Sequence, residues 1–158
     1  MTLTRPQIGL SASVLAAAVV GWLARPYMGL ATLSYGILLT GVFATLRGSK
    51  LHANLMSLGV AADIAQVLWI ELSRGAIAET LRMELPPLPL LHVITSALAV
   101  VCYAPALWLG KRAFKTKPGH PARKIHRAFG IAALSLRTVG FLLMFSLISY
   151  LATRTPPL

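Results

Sequence analysis

The chain has 158 residues, 56% of them hydrophobic and only 12% charged, with a mean hydropathy of +0.72. A soluble domain of this size carries nearer a quarter charged residues, so the composition excludes an ordinary soluble domain and indicates an integral membrane protein. The net charge of +11 does not argue for a nucleic-acid partner, because the basic residues cluster beside apolar segments, where membrane topology accounts for them.

Taken in chain order, the apolar runs predict five transmembrane helices in one all-α membrane domain over 1–158, a four-helix core plus one. The first span runs from about Gln7 to Ala24 and is stopped by the turn Arg25-Pro26-Tyr27. It could be read as a signal peptide, since Arg5 precedes an alanine-rich centre. A retained helix is preferred, because no clean small-residue cleavage site follows. The second covers about Met28–Leu46 and is stopped by Arg47-Gly48. The third covers Leu51–Ser73, the fourth Leu88–Leu109 and the fifth His126–Leu151. At 1.5 Å rise per residue each can cross a hydrocarbon core of about 30 Å, the first only marginally.

Basic residues set an expected orientation. With five spans, ten basic residues (Arg5, Arg47, Lys50, Lys111, Arg112, Lys115, Lys117, Arg123, Lys124 and Arg127) fall on one side. Four (Arg25, Arg74, Arg82 and Arg154) fall on the other. This asymmetry predicts a multi-pass protein of a bacterial inner membrane, N-terminus cytoplasmic and C-terminus outside. Trp22, Trp69 and Trp108 fall near span ends, where aromatic belts sit. Cys102 is the only cysteine, which excludes an internal disulfide and a cysteine metal cluster.

Two polar stripes carry the functional reading. His52 is followed eleven residues later by Asp63, and His126 eleven residues later by Arg137. Eleven residues is about three helical turns, so each pair lies on one stripe, about 16 Å apart. The expected topology puts both histidines at the cytoplasmic level and both charges near the bilayer centre. A lone charge there is costly, so Asp63 and Arg137 are expected to form a structural ion pair; two charges satisfied separately is the alternative. The stripes read His52, Met56, Gly59, Asp63, Gln66 and His126, Gly130, Ala133, Arg137, Gly140. Small residues beside histidines suit a slot for a flat macrocycle: haem b on His52 and His126, with room at Gly59 and Gly130 and a propionate steadied by Arg137. Close helix packing, interfacial histidines without a ligand, and a copper site remain alternatives. His92 opens the fourth span after Pro86, Pro87 and Pro89, level with Glu71 and Arg74. It is a candidate ligand for a second, outer haem or metal, but a hydrogen-bonded interfacial histidine is the preferred reading. His120 sits in the basic loop 110–127 and is expected to be solvated, with competition with His126 as a ligand the alternative.

Three anchors, Ser49-Lys50-Leu51-His52, Leu90-Leu91-His92 and Arg123-Lys124-Ile125-His126, stand in an order that resembles a small five-span bacterial group. That group is catalogued as domain of unknown function 420 and is linked to assembly of haem-copper terminal oxidases. The resemblance covers roughly residues 28–151 and rests on order and spacing. It implies an inner histidine pair, His52 with His126, and a place beside a terminal oxidase or other respiratory complex. Two positions depart from it. Arg74 stands where the group tends to have a further histidine, and His126 follows the basic pair instead of preceding it. The arrangement is also similar to small di-haem membrane cytochromes b, with only the inner site complete.

Two functions follow as expectations. One is a haem b protein acting in electron transfer or haem handling. The other is a non-catalytic assembly or accessory subunit of a respiratory or photosynthetic complex without its own cofactor. An enzyme with an organic substrate is disfavoured, since no nucleophile–base set, phosphate loop or paired carboxylates occur. Inverted repeats of a transporter are not visible either.

Overall fold

The computed structural model describes the backbone of residues 13, 15–19, 26–45, 51–74, 82, 85–117 and 119–154. Four long helices account for most of them: α1 (Pro26–Thr45), α2 (Leu51–Arg74), α3 (Pro87–Lys115) and α4 (Pro121–Arg154). All four are long and apolar enough to cross a membrane, and no strand occurs among the described residues. The all-α membrane class is thus as expected. Of the first expected span, 7–24, only residues 13 and 15–19 are described, and they are helical; the rest lies outside the described residues.

Two helix boundaries differ from the sequence reading, for physical reasons. Pro26, expected in a turn, begins α1, and Pro87 and Pro89 lie in the first turn of α3 instead of a preceding loop. Proline lacks an N–H and fixes φ, so it breaks a helix interior but suits a first turn, whose N–H groups have no helical partner. The larger difference concerns the basic segment 110–127. Helix continues through Lys115 and resumes at Pro121, leaving a connection of only 116–120. Lys and Arg are good helix formers, and Arg112 and Lys115 in the last turn of α3 complement the negative end of its dipole. The turn is closed by Gly119 at φ +90, in the left-handed region that a Cβ disfavours. Arg123 locks it by donating from Nε and Nη2 to the carbonyl oxygen of Thr116, at 3.2 and 2.7 Å. His126 therefore sits in the second turn of α4, not at its start.

The chain divides into two compact units, Met1–Ala76 and Ile77–Leu158, and each is described by itself. In the first, α1 and α2 form an antiparallel hairpin whose facing pairs step outward in register: Thr45 with His52, Gly41 with Met56, Leu38 with Gly59, Ser34 with Asp63. In the second, α3 and α4 face each other at Gly110 with His126 and at Ser96 with Gly140. The inner faces are mostly small or polar, with Ala31, Ser34 and Ala44, then Thr95, Ala99 and Ala133, all buried; Leu38, Val60 and Tyr103 are the larger side chains among them. Large apolar side chains point outward, among them Leu58, Leu68, Leu98, Val101, Ile131 and Leu142. That inversion is what a lipid solvent favours, since hydrocarbon gives apolar side chains no reason to hide and helices gain by approaching closely.

Candidate functional site

His52, His92 and His126 share one local geometry. Each ring places Nδ1 against a backbone carbonyl oxygen of the partner helix in its own hairpin. His52 lies 2.8 Å from Gly41 O, His92 2.7 Å from Gly140 O, and His126 2.9 Å from Ala106 O. A carbonyl only accepts, so in all three rings Nδ1 carries the hydrogen and donates it. In the neutral imidazole the lone pair then resides on Nε2, on the other side of the ring. His52 Nδ1 also lies within hydrogen-bonding reach of the Thr45 hydroxyl.

Glycines make this geometry available. A methyl at Gly110 would sit 3.1 Å from Cε1 of His126, so the absence of one leaves room for the ring against α3. At Gly140 a methyl would meet the Ser96 hydroxyl at 2.8 Å, and at Gly41 the Met56 sulfur at the same distance. Each of these glycines lets two helices approach closely where a histidine donates to the backbone. His120 differs: it is exposed, and its Nδ1 accepts from the backbone N–H of Ala122 at 3.1 Å. Its tautomer is the reverse of the other three.

The two stripes are turned toward their own hairpin partners. Met56 packs at Gly41, and Gly59 packs so closely on Leu38 that a methyl would lie 2.8 Å from both Cγ and Cδ2. Close packing of α1 on α2 is therefore the structural role of Gly59. Gly130 differs, since a methyl there would meet nothing within 4 Å. Asp63 is buried on α2 and accepts a hydrogen bond from the Ser34 hydroxyl at 3.1 Å; that hydroxyl also lies 3.1 Å from Ala31 O. Arg137 is buried on α4, on the face that carries Ala133 and Gly140.

Ser34, Thr45, Gly41 and Gly110 are contributors that the sequence reading did not single out. A hydroxyl in the middle of the apolar run of α1 was the available signal for Ser34. The carbonyls of Gly41, Ala106 and Gly140 had none, because every residue type carries one. Glu71 and Arg74, expected near His92, have side chains outside the described residues. Among the described residues no group of three or more His, Cys, Asp or Glu side chains is placed to hold a metal ion.

No family model, curated protein or solved structure matches the chain.

Proposed function

We propose that this protein is a haem b-binding membrane protein that acts in electron transfer or haem handling beside a respiratory complex of a bacterial inner membrane, such as a terminal oxidase. One observation carries the reading: three histidines in membrane-spanning helices have Nδ1–H committed to backbone carbonyls. That second hydrogen bond is what a ligating histidine needs, because it fixes the tautomer, orients the ring and raises the basicity of Nε2. That hydrogen bond supports a haem-ligand role for each ring, whereas Gly59, packed on Leu38, leaves no room for the group. His52 and His126, placed at one depth by the sequence, would supply the inner axial ligands, and His92 would serve an outer site. Bound haem would supply one-electron exchange at its iron.

The chain's own contribution is ligand placement and burial. Gly41, Ala106 and Gly140 orient the imidazoles, Gly110 leaves space for the His126 ring, and the apolar helix exteriors keep the helices in lipid. Asp63 and Arg137 retain the role of mutual partners on the sequence argument of shared depth. A second reading is favoured by the same hydrogen bonds: three imidazoles stapling two hairpins would serve an accessory subunit that binds no cofactor. An absorption spectrum of the purified, dithionite-reduced protein separates the two. Haem b gives a sharp α-band, and its absence after haem supplementation removes the haem reading and leaves the second one.

A further inference from the structure

The α3–α4 turn carries a charge concentration that neither the haem reading nor the packing of the hairpin uses. Between Lys111 and Arg127 lie seven basic residues, and no acidic residue occurs after Glu84. All seven are exposed: Lys111, Arg112, Lys115, Lys117, Arg123, Lys124 and Arg127. Two have structural tasks, since Arg123 locks the turn and the Arg112 guanidinium lies 3.9 Å above the Trp108 ring. The other five project from the helix ends and the turn.

Helix lengths set the level of this head. α3 has 29 residues and α4 has 34, or about 43 and 51 Å, against a hydrocarbon core of about 30 Å. Both must overshoot the core. Charges begin two residues after Leu109, at Lys111, and Trp108 marks the hydrocarbon boundary where indole rings settle. From Trp108 to Lys115 is about 10 Å, against about 5–7.5 Å for the headgroup layer on one side of a bilayer, so the cations from Lys111 onward cross that layer. Phe114 and Ile125, 64% and 46% exposed, are interleaved with the cations. A head meant only for a water-soluble acidic partner has no use for exposed apolar groups at that level. One lying among headgroups does, because apolar side chains reach the acyl boundary while cations meet phosphates.

We infer that the α3–α4 head binds anionic phospholipid, with Lys111, Lys115, Lys117, Lys124 and Arg127 holding the lipid phosphodiesters against the Arg112–Trp108 stack. Each basic residue at such a surface strengthens binding roughly fivefold, and salt screens the attraction.

The test uses the full chain with Trp22→Phe and Trp69→Phe, which leaves Trp108 as the sole indole. In mixed micelles, brominated phosphatidylglycerol and brominated phosphatidylcholine are compared as quenchers of Trp108 at equal mole fraction. Stronger quenching by phosphatidylglycerol is expected, weakened by high salt. It should be lost in the quadruple variant Lys111→Gln, Lys115→Gln, Lys117→Gln, Lys124→Gln and retained when the same four become Arg. Helix content by circular dichroism checks that the variants fold. Equal quenching by the two lipids would overturn the inference, as would a preference that survives in the glutamine variant. Displacement of the lipid by inorganic phosphate would also overturn it, by showing a site for a free anion instead of a headgroup.

Discussion

Changing Gly59 and Gly130 to alanine tests the hairpin geometry with one chemical change at two sites. Both glycines lie inside helices, α2 and α4, so whatever alanine gains over glycine in helix propensity, about 1 kcal/mol in water, largely cancels between them. What remains is the cost of the new methyl. At Gly130 it meets nothing within 4 Å. At Gly59 it meets Leu38 Cγ and Cδ2 at 2.8 Å and the Leu38 backbone nitrogen at 3.2 Å. Leu38 is only 1% exposed, so its side chain has no space to yield into and α1 must move away from α2. Overpacking of this kind costs about 1–3 kcal/mol. Gly59→Ala should therefore be less stable than Gly130→Ala by that amount, roughly a five- to 150-fold difference in the unfolding equilibrium. The assay is loss of helical circular dichroism as SDS displaces a mild detergent. Equal midpoints for the two variants would refute the close approach at Leu38.

Other outcomes follow from the same geometry. Ser34→Ala removes a hydrogen bond to buried Asp63 and should cost about 1–3 kcal/mol in the SDS titration; Thr32→Ala, which loses only a bond to its own helix at Met28 O, should cost less. Gly119→Ala forces a Cβ into the left-handed region in open space, so about 1 kcal/mol of strain should appear as faster proteolysis at the turn with the spectrum of any bound haem unchanged. Gly110→Ala pushes on the His126 ring and should lower haem retention during purification. For the expected Asp63–Arg137 pair, Asp63→Asn and Arg137→Gln should each destabilise more than the double change, and additive effects would argue against contact.

The four main spans were legible because hydropathy over about twenty residues is a property of composition, insensitive to detail. Their ends were less legible because two residue types carry opposing signals. Proline breaks a helix or begins one according to position, and Pro26, Pro87 and Pro89 begin theirs. Lysine and arginine mark a loop by topology yet favour helix by propensity, so 110–127 became mostly helix. At the candidate site the histidines stood out as residue types, and periodicity put each on a stripe with its charge. Periodicity says which residues share a face but not what that face meets. The faces of Met56, Gly59 and Asp63 meet α1, where Gly41, Leu38 and Ser34 are shaped to receive them. The acceptors that fix the histidine tautomers are backbone atoms, which no residue pattern reveals.

The most direct measurement is the reduced-minus-oxidised absorption spectrum of the purified full-length protein, supplemented with haem, beside its His52→Ala, His92→Ala and His126→Ala variants. A haem b α-band that disappears in His52→Ala and His126→Ala while one haem survives in His92→Ala is the expected result. A wild-type protein with no such band, or a band lost only in His92→Ala, would contradict the assignment of the inner histidines as haem ligands.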